Sequence, residues 1–165
     1  MGSKWPVVRT TIKNIIEQTE PDHHNGYIKQ RFRHLDNGVE EGFPVPDRGF
    51  FLMMEGGQAE LPGCYRARGR MRVNVRLTIT YQVSHDMGLI DEIIGSDAEN
   101  IIGQLLKVSN WDQGTSGIEL VGDGTTGNIE SMPFEVLPLD EEIQILTFTF
   151  PVVYSRGTDS NTPTE

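Results

Sequence analysis

The chain has 165 residues, which is enough for one domain with a hydrophobic core but not for two independent domains. Its formal net charge of −10 argues against bulk nucleic-acid binding, because that activity needs many Lys and Arg side chains to displace phosphate counterions. No apolar run reaches the roughly 18 residues of a membrane span. The single cysteine, Cys64, excludes an internal disulfide and favours a reducing cytoplasm.

The N-terminal part of the chain predicts a helix followed by a long irregular connection. Apolar residues recur at helical spacing from Trp5 to Gln18, and Pro21 stops the helix. Turn-forming Gly and Pro residues then dominate residues 22 to 47. A connection of this length is unusual in a compact domain. It indicates either a partly ordered binding loop or a short strand around Tyr27 to Phe32.

Two strands are predicted next. The apolar run Gly49 to Glu55 is typical of a core strand. Arg70 to Ser84 alternates apolar and polar residues almost without interruption, which predicts one apolar and one cationic face. At roughly 3.3 Å per residue this strand would extend about 45 Å, beyond the usual strand length. We expect the two strands to pair antiparallel, and the surplus length to bend, form a protruding hairpin or be covered by another subunit.

Five arginines lie within eleven residues of this stretch. They are Arg66, Arg68, Arg70, Arg72 and Arg76. One interpretation is a solvated strand face. The other is a basic face that docks on an acidic face of a neighbouring, identical chain, since an acidic chain with one basic stripe is suited to self-association. Asp140, Glu141 and Glu142 are the candidate acidic complement, with a solvated turn as the alternative.

A second helix is predicted in the middle of the chain. Ser96 with Glu99 three residues later is a capping-box pattern, and an apolar stripe follows over residues 101 to 108. A separate turn of helix is expected over Leu89 to Ile94, with Gly95 as the break between the two.

The C-terminal part predicts three strands. These are Ile118 to Val121, Ile129 to Leu137 and Gln144 to Tyr154. Pro133 interrupts the second and favours an edge position or a bulge there. The expected fold is therefore α+β, with two helices packed on one face of a mostly antiparallel twisted sheet and a protruding hairpin or long loop. Residues 1–156 form the single domain, and residues 157–165 form a polar flexible tail.

Motifs that carry catalysis are absent from the sequence in their required contexts. His23, His24, His34 and His85 are the candidates for metal or acid–base chemistry, but their spacing does not match that of a zinc site, so surface histidines are preferred. The glycine-rich segment 122–127 lacks the Lys and the following helix of a phosphate cradle, and is interpreted as a hairpin turn. No catalytic residue, metal site or cofactor is predicted.

The order of the elements carries a family resemblance. A helix and a loop-rich stretch precede a long strand that runs into SHDMGLIDEIIGSDAENIIGQLL, and the short pair IELVGDGTTGNIES and the closing strand EIQILTFTFPVVYSR follow. This order resembles the tail terminator (tail completion) proteins of long-tailed bacteriophages. In that family a central strand such as RLTITYQV precedes a helix such as DAENIIGQLL, and a final strand closes the sheet, here ending at Tyr154 and Arg156. The resemblance covers about residues 5 to 156.

The resemblance implies a structural virion protein and no enzyme. Such a protein forms a hexameric ring at the head-proximal end of the tail tube, stops tube polymerisation and joins the tail to the head connector. The implied partners are further copies of the chain, the tail tube protein and the head connector or stopper protein, with DNA only as passing cargo and no membrane. The implied location is the virion tail or neck, after assembly in the host cytoplasm. Two alternatives stay open: another head–tail connector or tube subunit, and a small-ligand-binding α+β domain.

Overall fold

A computed structural model describes residues 5–21, 31–35, 47–60, 70–82, 87–107, 110–111, 118–121, 132–139 and 142–155. The elements in chain order are α1 (Trp5–Gln18), β1 (Arg33–His34), β2 (Gly49–Glu60), β3 (Arg70–Gln82), α2 (Met87–Leu105), β4 (Ile118–Val121), β5 (Phe134–Pro138) and β6 (Ile143–Ser155).

The strands form one sheet of six strands with the order β1-β2-β3-β6-β4. β5 pairs with the first part of β6, from Gln144 to Phe148, and β4 pairs with its last part, near Val152 and Tyr154, so β4 and β5 occupy the same side of β6. All pairs are antiparallel except β1 with β2. The sheet is open, and the prediction of an α+β fold with a mostly antiparallel sheet is confirmed.

The long strand β3 is matched by its neighbours over its whole length. β6 pairs with it from Arg70 to Gln82, and β2 pairs with it from Arg70 to Thr80. Both backbone edges of β3 are therefore hydrogen-bonded inside the chain from Arg70 to Thr80, so another subunit can reach this part of the strand at its faces alone. The strand is long because two equally long strands flank it.

One face of the sheet carries the core. Alternate apolar residues of β3 and β6 point to this face, where both helices cover them, in agreement with the predicted alternation. The fully buried members from the two strands are Val73, Val75, Leu77, Ile79, Tyr81, Leu146, Phe148, Phe150 and Val152. The opposite face, here called the far face, carries the polar stripe of β3.

α2 is one continuous helix, so the predicted break at Gly95 and the predicted helix start at Ser96 are wrong. The residues that pack on the sheet recur at steps of three and four straight through Gly95. They are Ile90, Ile93, Ile94, Asp97, Ala98, Ile101 and Leu105. Gly95 lies on the exposed side of the helix, where the helix tolerates it because packing of the buried stripe supplies most of the stability.

β2 extends to Glu60, beyond the predicted end at Glu55. The register with β3 shifts between Met54 and Gly56, where a bulge inserts one residue. Gly56 has φ 155°, which side chains rarely adopt. At Gly57 an added Cβ would lie 2.3 Å from the carbonyl oxygen of Arg72, so only glycine lets the two strands approach this closely.

Two short strands also differ from the prediction. The strand expected around Tyr27 to Phe32 is instead the two-residue β1, which begins at Arg33; residues 27–30 lie outside the described residues. β5 begins at Phe134, directly after Pro133, because proline cannot donate a backbone hydrogen bond to β6. The expected tail at 157–165 also lies outside the described residues.

Candidate functional site

The arginines of the predicted stripe are only partly placed. Arg66 and Arg68 lie outside the described residues, and for Arg70 only the backbone is described. Arg72 is partly buried on the far face. Arg76 is the best exposed of those whose side chains are described, with 45% of its side chain open to solvent.

Arg76 already has an acidic partner in its own chain. Its guanidinium lies 3.2 Å from the Glu55 carboxylate, which belongs to the bulge of β2. The Glu55 side chain is 35% exposed, so the pair is solvated and contributes little to stability. Arg76 therefore keeps exposed N–H groups that a second carboxylate can reach.

Of the predicted acidic complement, the structure describes Glu142 alone. Asp140 and Glu141 are outside the described residues, and Glu142 is exposed directly before β6. The start of β6 pairs with Gln82, six residues along β3 from Arg76. At about 3.3 Å per residue this separation is about 20 Å. Glu142 and Arg76, the described members of the two predicted patches, therefore do not meet within one chain.

The outer strand β5 is apolar on both of its faces. Phe134, Val136 and Leu137 are 50%, 42% and 43% exposed, and Leu139, just beyond the strand, is 52% exposed. Phe134 lies against Phe148 of β6, with ring centroids 5.8 Å apart, which anchors only one side of its ring. An edge strand usually carries charges or lysines that discourage pairing, and β5 carries a single charge, Glu135.

The opposite edge of the sheet is the distal part of β2. β1 covers β2 only at Gly49 and Phe50. From Met53 onward the strand is exposed, with Met53 52% and Met54 39% open to solvent. Among the described residues, six of the eight exposed large apolar side chains lie at these two edges, two on β2 and four on or just after β5. The sequence pattern did not reveal this, because which strand is outermost depends on the topology.

The register also fixes which backbone groups face outward. The N–H of Leu139 donates to the oxygen of Ile143, and the N–H of Thr149 donates to the oxygen of Pro133. Every second residue of β5 between these bonds faces β6, so Phe134 and Val136 direct their N–H and C=O groups to the open edge.

The same geometry applies at β2. The N–H of Leu35 donates to the oxygen of Phe50, so Phe50 faces the outer side of β2. Leu52 and Met54 follow at steps of two and direct their N–H and C=O groups to that side. β1 does not pair with either of them.

Away from the two edges, three polar side chains form a cluster that is buried from solvent. The Nε of Arg48 donates a hydrogen bond of 2.8 Å to Oδ2 of Asp97, and a second guanidinium nitrogen donates to Oδ1 at 3.3 Å. The hydroxyl of Tyr81 also donates to Oδ2, at 2.8 Å. All three residues have no exposed surface. This arrangement joins the end of β3, the start of β2 and α2, and no substrate in solvent can reach it.

Local backbone geometry positions Arg48. It adopts φ 54°, which is rare for a residue with a side chain. Its N–H donates to the oxygen of Thr80 at 2.7 Å, and its carbonyl accepts from the N–H of Arg33 at 3.0 Å. The guanidinium carbon lies 5.8 Å from the centre of the Phe32 ring.

The environment changes the acidity of two tyrosines. Burial raises the pKa of Tyr81 well above its usual value, and the negative charge of Asp97 raises it further. Burial also raises the pKa of Tyr154. Tyr81 therefore stays protonated and keeps donating its hydrogen bond at ordinary pH.

The histidine candidates gain no support as a metal site. His34 packs edge-on against Phe50, with ring centroids 5.4 Å apart, and His23, His24 and His85 lie outside the described residues. Within the described ranges, no three His, Cys, Asp or Glu side chains are grouped as metal ligands would be. Neither described helix combines the length and apolar character that crossing a bilayer requires.

Comparison with known proteins adds no family at this point. No protein-family model matches the chain, and no curated protein matches it.

Proposed function

We propose that this chain is a structural virion protein of the tail terminator kind, a subunit of a ring at the head-proximal end of a phage tail tube. In this role it stops tube polymerisation and joins the tail to the head connector.

The observation that carries the proposal is a pair of unlike edges on one sheet that no further described strand pairs with. A ring built from identical subunits needs two different surfaces on each subunit that fit each other, because the contact is head-to-tail. The β5 edge and the distal β2 edge lie on opposite sides of the sheet, and both expose large apolar side chains. Large apolar side chains that are exposed in groups along a strand edge favour an interaction surface.

The arrangement of the elements supports the same proposal. The chain has a helix, a long central strand, a second helix and a closing strand, in the order on which the resemblance to tail terminators rests. The closing strand, β6, lies directly beside the central strand, β3, along its full length.

The polar residues favour a structural role over catalysis. Arg48, Asp97 and Tyr81 form a fully buried polar cluster in which both Arg48 and Tyr81 donate hydrogen bonds to Asp97. Catalytic groups converge on a pocket that substrate can enter. The net charge of −10 also suits a lumen through which DNA slides without binding.

Electron microscopy of particles assembled without this chain tests the proposal. We expect tails with tubes of uncontrolled length and heads without attached tails, and immunogold labelling of complete particles at the head-proximal end of the tail. Tails of normal length in its absence would contradict the proposal. Label along the whole tube would instead identify a tube subunit, and label on the head alone a connector subunit.

A test with the purified protein separates this proposal from a small-ligand-binding domain. Mass photometry should find a closed assembly of several subunits, and negative-stain images should contain rings. A ligand-binding domain would instead remain a monomer whose melting temperature rises with ligand.

A further inference from the structure

We propose that two copies of this chain join head-to-tail by adding strand β5 of one copy to the distal half of strand β2 of the next. This inference rests on the proposed ring and identifies its subunit contact. It assigns the contact to the two sheet edges, with Arg76 the one member of the arginine stripe that takes part, rather than to the acidic turn.

Strand direction permits this contact. β5 is antiparallel to β6, β6 to β3, and β3 to β2. β5 and β2 of one copy therefore run in opposite directions. A second copy in the same orientation presents its β2 antiparallel to β5 of the first. The outward N–H and C=O groups of Phe134 and Val136 then have partners in the outward groups of Met54 and its neighbours.

The side chains of the two edges match on both faces of the sheet. On the helix-covered face, Phe134 and Val136 would meet Met54 of the next copy. On the far face, Leu137 would meet Met53. Apolar side chains that are solvent-exposed in the single chain thus gain apolar cross-strand neighbours on both faces of the new strand pair.

The charged side chains of the two edges share one face of the sheet and include one arginine that two carboxylates can reach. Glu135 pairs with Thr147, and Arg76 pairs with Thr149, so both charged side chains lie on the far face. Glu135 is the single charge of β5, and Arg76 borders the open part of β2 and is 45% exposed. When the edges join with Val136 opposite Met54, Glu135 lies opposite Glu55 of the next copy, and both carboxylates then lie beside Arg76 of that copy. A contact between two β5 strands would offer Glu135 no basic partner on that strand.

The contact requires a stagger between copies. Across the sheet, Val136 is level with Phe50 of β2, where β1 blocks the edge. Moving Val136 opposite Met54 shifts the strand by four residues, about 13 Å. Strands of sheets that close on themselves tilt by about 35–45°. From β5 of one copy to β5 of the next there are four strand-to-strand spacings of about 4.8 Å. A tilt of about 35° over these four spacings displaces the next copy along the strand direction by about 13 Å, which matches the required stagger.

The prolines at both ends of β5 limit the contact to a short strand. Pro133 precedes the strand, and Pro138 ends it at a position whose missing N–H would have faced outward. Phe134 and Val136 are thus the two residues of β5 that direct an N–H to the next copy. A strand bounded in this way accepts one register and resists open-ended aggregation.

Two complementary variants test the inference. Phe134→Lys with Val136→Lys blocks the β5 edge, and Met53→Lys with Met54→Lys blocks the β2 edge. Val7→Lys with Leu106→Lys is the matched control, because these side chains are 43% and 45% exposed and lie outside both edges. Mass photometry should find the wild-type protein and the control as the same assembly, and each blocked variant as a monomer.

Mixing the blocked variants is the decisive step. Each variant retains one open edge, and the two open edges fit each other, so an equimolar mixture should contain dimers of one copy of each and nothing larger. Monomers in the mixture would overturn the inference. The inference would also be overturned if the β5-blocked variant were a monomer and the β2-blocked variant a dimer, because that result indicates a β5–β5 contact. A wild-type protein that is a monomer at high concentration would overturn it as well.

Hydrogen exchange on the wild-type protein keeps the test independent of whether the variants fold. The amides of Val136 and Met54 should exchange at least tenfold more slowly in concentrated samples, which contain the assembly, than in dilute samples. Unchanged exchange at both sites would overturn the inference. Failure here leaves the microscopy test of tail length unaffected, since a ring can close through another surface. Tails of normal length in particles that lack the chain would instead contradict the proposed function and would leave the proposed contact unaffected.

Discussion

Among the described residues, the arginine–carboxylate pairs Arg48–Asp97 and Arg76–Glu55 have similar separations and opposite surroundings. Arg48 and Asp97 lie 2.8 Å apart with no exposed side-chain surface, whereas Arg76 and Glu55 lie 3.2 Å apart and are 45% and 35% exposed. The buried pair is desolvated, so each partner depends on the other for compensation of its charge. The exposed pair keeps most of its hydration, so it stabilises little and leaves Arg76 able to accept a further partner.

Removing the carboxylate of the buried pair should have the largest effect. Asp97→Ala removes the carboxylate that faces the buried Arg48 charge and accepts the hydrogen bond of the Tyr81 hydroxyl. We expect a loss of about 3–5 kcal/mol in the free energy of unfolding, measured by urea denaturation. Asp91→Ala, at an exposed position on the same helix, is the control. A loss below about 1 kcal/mol, the value of a surface pair, would show that the buried pair is not compensating a desolvated charge.

Tyr81→Phe sharpens the comparison by removing one donor and leaving the ion pair. At neutral pH we expect a loss of about 1.5–3 kcal/mol, since the hydroxyl donates to a charged acceptor. The raised pKa of Tyr81 in the folded protein means that its contribution is complete below the unfolded value near 10 and declines as the pH rises through the folded pKa.

The pH dependence therefore provides the measurement. The stability difference between wild type and Tyr81→Phe should shrink as urea denaturation is repeated at rising pH above about 10. Tyr154 is present in both proteins, so its own raised pKa cancels in the difference. A difference that stays constant to the highest pH at which both proteins fold would contradict the assignment.

The long helices and strands and their order could be predicted from the sequence, because the periodicity of apolar residues alone indicates them. The helix Trp5–Gln18 has the predicted bounds, and the alternation of β3 correctly predicts its buried face. The buried cluster was missed because Arg48 and Asp97 are 49 residues apart and meet only after folding. One local signal was available: Asp97 lies three residues after Ile94 and four before Ile101, on the apolar stripe of α2.

The candidate contact surface was less predictable. An alternating strand pattern reports which face is buried, but not which strand is outermost. β5 has apolar residues on both faces, which also fits a fully buried strand. Only the topology, with β5 paired on one side, reveals that these residues are exposed. The arginine stripe was visible in the sequence, but the Glu55 partner of Arg76 depends on the register of β2 with β3.

Gly95→Ala tests the helix that carries the buried pair. Gly95 is exposed inside α2, and an added Cβ would contact nothing within 4 Å. Alanine loses less backbone entropy than glycine in a helix, so we expect a gain of about 0.5–1 kcal/mol in urea denaturation. Gly57→Ala provides the contrast, because its Cβ would approach the Arg72 carbonyl and must destabilise the strand pair. Destabilisation by Gly95→Ala would instead support a helix that breaks there.

Glu55→Gln should have the smallest effect and completes the comparison of the two ion pairs. Because both side chains are solvated, the monomer should lose less than about 1 kcal/mol, and added salt should reduce even that difference. In the assembly, the same substitution should strengthen the contact between copies rather than weaken it. Without Glu55, Arg76 has no competing carboxylate when Glu135 of the next copy approaches, so the assembly should tolerate more dilution before it dissociates. Mass photometry over a dilution series measures this change, with Glu55→Gln combined with Glu135→Gln as the control that removes it. Weaker assembly with Glu55→Gln alone would mean that Glu55, rather than Glu135, contributes the acidic side of the contact.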